Sequence, residues 1–212
     1  MTALFLALLL QVRIISFGDS LTAPRPGVIT YTDVLAKVLP EVINRGVPGN
    51  TSSQARARFA ADVLDNHPDL VIIQLGANDA AIDVWKDPPA TKPRVDIATF
   101  RDNLEYFVRS LRKQNSKIIL MTSNRFAWTP RLRALYGKPP YDVNSDDGFN
   151  IMLDTYNDVV RDIAHRREVE LVDAAKAVHT SALLDGMHPS TEGHRIIAEL
   201  LIPVVRRLLR TP

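Results

Sequence analysis

The sequence predicts a three-layer α/β/α fold, in which helices cover both faces of a five-stranded parallel sheet. Apolar, β-leaning segments alternate along the chain with segments whose apolar residues recur at helical spacing. Such alternation favours parallel strands joined by right-handed crossovers. The segment 69–75 is nearly all apolar, which is typical of a central strand covered on both faces. With 212 residues, 46% of them hydrophobic, the chain is expected to form a single domain over residues 1–212.

The first half of the chain carries three of the predicted strands and two helices. The strands are expected at residues 14–18, 41–44 and 69–75. Between the first two, residues 31–39 have helical spacing and end at Pro40. The second helix follows Thr51, because Thr51 and Gln54 have the spacing of a capping box, a reciprocal pair of bonds that starts a helix.

The second half completes the pattern but contains two long irregular segments. Helices are predicted over 97–111, 152–163 and 196–209, and strands over 117–122 and 168–172. Pro203 is expected to kink the last helix. Residues 80–96 and 123–150 lack a clear period and are interpreted as insertions. Loops of this length in a compact domain are usually functional or disordered.

Composition excludes several classes of function. The net charge is +2 and the basic residues are scattered, so nothing indicates binding to nucleic acid. The chain has no cysteine, which excludes disulfides, zinc–thiolate sites and a cysteine nucleophile. We expect no metal ion and no other cofactor. The oligomeric state is left open by the sequence.

Residues 1–11 form an apolar N-terminal extension. Its apolar run is too short to span a bilayer, so no stable membrane anchor is evident. The run resembles the apolar core of an export signal, but it lacks a basic segment before it and a small-residue cleavage site after it. We interpret it as an uncleaved part of the domain, with a shortened export signal as the alternative. The location, cytoplasmic or periplasmic and exported, is left open.

Ser20 is the first candidate for a reactive group. It follows Gly18, where an apolar strand ends, and glycine permits a tight turn that lets the serine stand clear of the sheet. A serine hydroxyl is a weak nucleophile unless a neighbouring base accepts its proton. Ordinary turn chemistry is therefore the alternative explanation unless the rest of the chain supplies such a base.

Gly49 and Asn78 follow the second and third predicted strands. Loops after parallel strands emerge at the same edge of the sheet, so both residues are expected near Ser20. A backbone N–H at Gly49 and the carboxamide of Asn78 are donors of the kind that stabilise an oxyanion. Each residue taken alone could equally serve a turn.

The missing base is predicted at His188, three residues after Asp185. In a turn, the carboxylate can hold one imidazole N–H and leave the other nitrogen free to accept a proton from serine. A metal site formed by Asp185, His188 and His194 lacks a familiar ligand spacing, which argues against it.

These blocks resemble the SGNH hydrolase superfamily, also called the GDSL esterases and lipases. They lie in the family's order at residues 17–21, 44–51, 76–79 and 185–189. The resemblance implies a flavodoxin-like sheet with strand order 2-1-3-4-5. It implies a triad of Ser20, His188 and Asp185, with an oxyanion hole formed by the N–H groups of Ser20 and Gly49 and by Asn78. Gly46 is the alternative to Gly49.

The activity implied is hydrolysis of carboxylic esters through an acyl-enzyme. Two other possibilities stay open at this point. The same residues could pass the acyl group to an alcohol or sugar, which would make the protein an acyltransferase. A non-catalytic binding protein on the same fold is the second possibility. The partner expected in the first case is a small-molecule ester.

Substrate choice is predicted to depend on the insertion 123–150, which should overhang the edge that carries Ser20. It contains the aromatic residues Trp128, Tyr136 and Tyr141 together with Arg125. Aromatic faces beside hydrogen-bonding groups suit a polar ring better than a lipid tail. We therefore expect short acyl groups such as acetate, with an acetylated carbohydrate as the candidate substrate. A lysophospholipase or thioesterase acting on longer chains is the alternative, and the aromatic residues could also merely hold the loop against the body.

Overall fold

The computed structural model describes residues 12–210, so the interpretation of residues 1–11 falls outside the described part of the chain. Five parallel strands form one sheet in the order β2-β1-β3-β4-β5, which confirms the predicted fold class and strand order. The strands are β1 (Arg13–Gly18), β2 (Glu41–Gly46), β3 (Leu70–Gln74), β4 (Lys117–Met121) and β5 (Glu170–Val172). The helices are α1 (Tyr31–Leu35), α2 (Ser52–Asp62), α3 (Ile97–Lys113), α4 (Pro130–Tyr136), α5 (Ile151–Arg166), α6 (Ala174–Ala177) and α7 (Thr191–Arg210). Short 3₁₀ turns lie at Leu64–Asn66 and Thr180–Ala182.

The sheet separates two hydrophobic cores, because successive side chains of a strand point to opposite faces. In β3, Val71 and Ile73 pack on the face covered by α2, α3 and α5. Leu70 and Ile72 pack on the opposite face, against α1 and α7. A strand that is buried on both faces must be apolar throughout, which explains the composition of this segment.

Some elements differ from the sequence-based expectation. Helix α1 ends at Leu35, and turns rather than helix continue towards Pro40. Strand β2 extends two residues further, to Gly46, because its whole length pairs with β1. The insertion 123–150 contains a short helix, α4, that was not expected. The capping box at Thr51 is confirmed, and Pro203 lies inside α7 without ending it.

Three loops meet at the carboxyl edge of the sheet because the strand ends are level. Gly18 is in register with both Gly46 of β2 and Gln74 of β3. A Cβ atom on Gly18 would lie 2.4 Å from the Thr22 hydroxyl and 2.7 Å from the Gln74 carbonyl oxygen. Glycine therefore lets the chain after β1 fold back tightly against β3. None of the helices between residues 12 and 210 combines the length and apolar character needed to cross a bilayer.

Candidate active site

Ser20, His188 and Asp185 form a continuous chain of hydrogen bonds at this edge. His188 Nε2 lies 3.0 Å from Ser20 Oγ, although the two residues are 168 positions apart in sequence. His188 Nδ1 lies 2.9 Å and 3.1 Å from the two carboxylate oxygens of Asp185. A carboxylate facing Nδ1 favours the tautomer with its proton on Nδ1. Nε2 then carries the lone pair and can accept the Ser20 proton.

The turn that carries the base is held from two sides. Within the turn, the backbone N–H of Leu184 donates to the carbonyl of His188 over 2.8 Å. From outside, the insertion 123–150 supplies two bonds: the N–H of Ala127 donates to the Gly186 carbonyl, and the buried Asn124 amide donates to the Met187 carbonyl. The insertion thus fixes the position of His188, the candidate base.

Gly186 is required in this turn for two reasons. Its φ is +87°, a conformation that strains residues with a side chain. A Cβ atom there would also lie 2.6 Å from the Ala127 carbonyl oxygen. A larger residue at this position would push the turn away from the insertion and would displace His188 with it.

Asp185 is held in its charged form. Partial burial acts to raise its pKa, but the backbone N–H and ring of His188, together with the backbone N–H of Met187, outweigh this and keep the pKa below its usual value. Arg25 adds only a distant ion pair, at 3.9 Å. An ionised Asp185 can therefore stabilise an imidazolium at His188.

Two backbone N–H groups beside Ser20 are available as donors. In the part of the chain that the structure describes, neither Ser20 nor Gly49 has an acceptor for its backbone N–H. Gly49 adopts a φ of +79°, which is easily reached only without a side chain. Gly46, by contrast, donates its N–H to Asn44 Oδ1 over 2.9 Å, so this N–H is already occupied. The geometry favours Gly49 over Gly46.

The Asn78 side chain is held by contacts at both ends. Its Nδ2 group donates to Asp19 Oδ2 over 3.2 Å and to the carbonyl of Asn50 over 3.1 Å. Its Oδ1 accepts from Arg94 Nη1 over 3.2 Å. The contacts of Nδ2 are at the long end of the hydrogen-bond range, so an oxyanion could compete for its hydrogens.

Two buried carboxylates, Asp19 and Asp79, lie beneath the donors. Asp19 is fully buried, and this burial, with some repulsion from Asp79, raises its pKa to about 7 despite bonds from Leu21 and Asn78. Burial likewise raises the pKa of Asp79 to about 6, although its oxygens accept the backbone N–H of Ser52 over 2.9 and 3.0 Å. Asp79 in this way satisfies a donor at the first turn of α2.

A small cleft opens over Ser20 and His188. Its interior volume of about 60 Å³ is enough for a few groups the size of a water molecule. Its polar lining residues are Ser20, His188, Asn78 and Arg94. Much of the remaining lining is aromatic and thioether surface, contributed by Phe126, Tyr136, Tyr141, Phe149, Met152 and Met187. The cleft thus combines a reactive polar edge with an apolar wall.

A comparison with protein families agrees with this geometry. Residues 16–196 match the model of the GDSL-like lipase/acylhydrolase family, which covers most of the chain. The protein belongs to this family. Membership of this family supports ester hydrolysis as the general activity of this GDSL hydrolase. It also accounts for the order of the four motifs at residues 17–21, 44–51, 76–79 and 185–189.

Two curated relatives are similar over most of their length. A lipoprotein of Bacillus subtilis, YqeF, is 34% identical over 177 residues, which are 75% of this chain and 71% of the relative. An acetylxylan esterase of Geobacillus stearothermophilus is 29% identical over 221 residues, which are 90% of this chain and 92% of the relative.

Solved structures show the same fold. A GDSL-like lipase of Bacteroides thetaiotaomicron superposes with a TM-score of 0.71 at 22% identity, over 93% of this chain and 89% of that one. A catalytic mutant of an acetylxylan esterase of Geobacillus stearothermophilus gives 0.69 at 24% identity, over 91% and 93% of the two chains.

The four residues of the insertion that were expected to bind substrate separate into two pairs. Tyr136 and Tyr141 line the cleft of this GDSL hydrolase. Trp128 and Arg125 line a neighbouring cavity instead. The Trp128 ring stacks on Phe149 at 4.6 Å and its Nε1 donates to the Ser145 carbonyl. Both the ring and its N–H are thus engaged within the insertion itself.

Arg125 is likewise used within the insertion. It forms ion pairs with Asp147 and Asp154, at 2.8 and 2.9 Å. Phe149 is the centre of the aromatic cluster. The centroid of its ring lies within 5.6 Å of the ring centroids of Phe126, Trp128, Tyr136 and Tyr141. Sequence reasoning missed Phe149, because nothing in the irregular segment 123–150 distinguishes an inward from an outward aromatic residue.

Proposed function

We propose that this GDSL hydrolase is a serine esterase that removes short acyl groups, acetate above all, through a covalent acyl-enzyme. The observation that carries the proposal is the unbroken contact from Ser20 Oγ through the His188 ring to Asp185. The sequence brings together two segments 168 residues apart for this contact, which a structural role for a surface histidine would not require.

In the acylation step, Ser20 Oγ attacks the ester carbonyl carbon while its proton passes to His188 Nε2. The carbonyl oxygen becomes an oxyanion, and Asp185 stabilises the imidazolium. When the tetrahedral intermediate collapses, the bond from the carbonyl carbon to the alcohol oxygen breaks. The alcohol leaves with the proton from Nε2, and the acyl group stays on Ser20.

The oxyanion is proposed to bind three donors: the backbone N–H groups of Ser20 and Gly49 and the Nδ2 group of Asn78. The two backbone groups have no competing acceptor within residues 12–210, so they can bind the oxyanion without first breaking another bond. Asn78 must partly release Asp19 or Asn50, and its long contacts make this release inexpensive.

Deacylation repeats these steps with water as the nucleophile. His188 Nε2 takes a proton from the water, whose oxygen attacks the acyl carbon. The second tetrahedral intermediate expels Ser20 Oγ, which recovers the proton from His188. The products are a carboxylic acid and the free enzyme, so atoms and protons balance over the cycle.

The short acyl group is supported by the size of the cleft. Pockets that enclose drug-sized ligands have volumes of roughly 300–1,000 Å³, whereas this one has about 60 Å³. The lining of the cleft includes the buried side chains of Tyr141 and Phe149. The similarity to an acetylxylan esterase over 90% of the chain supports acetate on a carbohydrate as the substrate.

The proposal is tested with p-nitrophenyl esters of increasing acyl length and with acetylated xylo-oligosaccharides. We expect kcat/KM to be highest for two to four carbons, and we expect Ser20→Ala to lower kcat at least about 10³-fold. Parent activity in Ser20→Ala would disprove the mechanism. A steady gain beyond about eight carbons, near 0.8 kcal/mol per methylene, would disprove the short acyl group and favour a lipid substrate.

A further inference from the structure

The backbone of Asn78 does not determine which way round its side-chain amide lies. A carboxamide can rotate by half a turn and exchange its donor and acceptor ends with almost no change of shape. Only one orientation directs Nδ2 towards the Ser20 turn. The neighbours therefore decide whether Asn78 presents a donor or an acceptor there.

Arg94 selects this orientation from the Oδ1 end of the amide, while the Asp19 carboxylate and the Asn50 carbonyl accept from the Nδ2 end. A guanidinium has only donors, so the atom of Asn78 that faces Arg94 Nη1 at 3.2 Å must be the acceptor Oδ1. In the reversed amide, two donors would face each other at this place, while the acceptor would face the Asp19 carboxylate. Arg94 is the cation beside this amide, and it also lines the cleft.

Arg94 is itself held rigidly, although its side chain is 31% exposed. Its Nη2 donates to Asp83 Oδ1 over 2.6 Å, and its Nε lies 3.0 and 3.2 Å from the two Asp83 oxygens. Burial acts to raise the pKa of Asp83, but Arg94 and Lys86 outweigh it and hold that pKa below its usual value. The guanidinium is thus fixed by a charged carboxylate whose side chain is only 5% exposed.

The insertion 80–96 is folded so that it delivers Arg94 to this position. The Arg94 N–H donates to the Ala81 carbonyl over 3.0 Å, and the Val95 N–H donates to the Asp79 carbonyl over 3.3 Å. The end of the insertion therefore returns alongside its start, directly after Asn78. A segment that interrupts the regular alternation of strands and helices is in this way attached to a donor of the site.

We propose that Arg94 is a positioning residue for the reaction, which fixes the Asn78 amide with Nδ2 towards the oxyanion and polarises it. This inference rests on the proposed function. A hydrogen bond from a cation to Oδ1 draws electron density from the amide and strengthens its N–H as a donor. The effect acts through Asn78, so it should vanish when the Asn78 side chain is removed.

The test is a double-mutant cycle on p-nitrophenyl acetate hydrolysis. Asn78→Ala should lower kcat by about 10²–10³-fold. Arg94→Ala alone should lower kcat by about 10-fold with little change in KM, but by less than about twofold in the Asn78→Ala background. Arg94→Lys, which keeps the charge without the fork of donors, should recover part of the loss.

Lys86→Ala is the matched control. It also removes a cation from Asp83, whose Oδ2 lies 2.7 Å from Lys86 Nζ, but among the described residues Lys86 forms no hydrogen bond with Asn78. Its kcat should stay within about twofold of the parent value. If Arg94→Ala does not fold, the cycle is run with Arg94→Lys, whose smaller loss should likewise disappear without Asn78.

Losses from Arg94 and Asn78 that multiply in the double variant would overturn the inference, because Arg94 would then act independently of Asn78. That result would leave the proposed function intact, provided that Ser20→Ala is inactive. An active Ser20→Ala variant would overturn the proposed function instead, whatever the cycle gives.

Discussion

Two aspartates near the candidate site, Asp185 and Asp19, differ in pKa although their side chains are chemically the same. Asp185 lies on a half-exposed turn, and donors from His188 and Met187 keep its pKa low. Asp19 is fully buried, and burial raises its pKa to about 7. The comparison teaches that solvent access decides the charge, since both carboxylates accept bonds from neighbouring N–H groups.

The difference suits two separate tasks. In the proposed mechanism the base side needs a fixed negative charge, because an imidazolium would form at His188 in each half of the reaction. The proposed oxyanion side would gather donors around a developing negative charge, and a second full negative charge beside it would oppose that. A carboxyl group with a raised pKa can still accept the bond from Asn78 while carrying less charge near neutral pH.

Removing the base side should have the largest effect. We expect His188→Ala and Asp185→Ala each to lower kcat by about 10³-fold or more on p-nitrophenyl acetate. The double variant should be hardly worse than the single variants, because the residues act as a unit. Multiplying losses would show that Asp185 and His188 contribute separately.

A smaller loss is expected for Asp19→Asn. The substituted amide would place a donor against Asn78 Nδ2 or would withdraw the acceptor from the Leu21 N–H, which now bonds Asp19 Oδ1 over 2.8 Å. We expect kcat to fall by about 10-fold, measured beside Asp102→Asn, a change at an exposed position on α3. An unchanged kcat would exclude a role for Asp19 in holding Asn78.

Buried carboxyl groups should also make the fold less stable as pH rises. Asp19 has a usual pKa of 3.8 and a folded pKa of about 7, and for Asp79 the folded pKa is about 6. Between these limits the two carboxyl groups keep protons that they have lost in the unfolded chain, so their contribution to stability is greatest near the low end and is lost as pH rises through 6 and 7. Burial lowers the pKa of His194 from 6.5 to about 4, which acts in the opposite direction and offsets part of this loss below pH 6.5. The parent Tm should fall by roughly 5 °C from pH 5 to pH 8.

The same measurement on Asp19→Asn checks the assignment. Because the amide does not titrate, the fall of Tm with pH should be clearly smaller, with Asp79 and the opposing contribution of His194 left to account for the remainder. An identical slope in both proteins would show that Asp19 is not the group that titrates.

The smallest effect is expected for Arg25→Ala. Arg25 Nη1 lies 3.9 Å from Asp185 Oδ2, and both side chains are partly exposed, at 31% and 40%. Solvent screening makes such pairs weak, so kcat should change by less than about twofold. A loss comparable to that of Asp185→Ala would show that Arg25, rather than the N–H donors of the turn, holds the charge of Asp185.

The sequence predicted most of the fold because strands and helices leave a periodic pattern. Three layers follow from alternating apolar segments, and the strand order follows from the family resemblance. The sequence also singled out Ser20, Asn78, Asp185 and His188, because each follows or lies within a short block at a predicted turn. Residues 80–96 and 123–150 have no period, so the positions of Arg94 and Phe149 could not be predicted.

The sequence by itself determined which chemical groups this protein has and the order in which the strands deliver them to one edge. Only the tertiary structure decided how they are used. Burial gave Asp19 a higher pKa than Asp185, because the pKa of a carboxyl group depends on how far the folded chain excludes water from it. Packing turned Trp128 towards Phe149 and placed Tyr141 in the cleft, because an aromatic ring in an irregular loop takes its direction from neighbours that are distant in sequence.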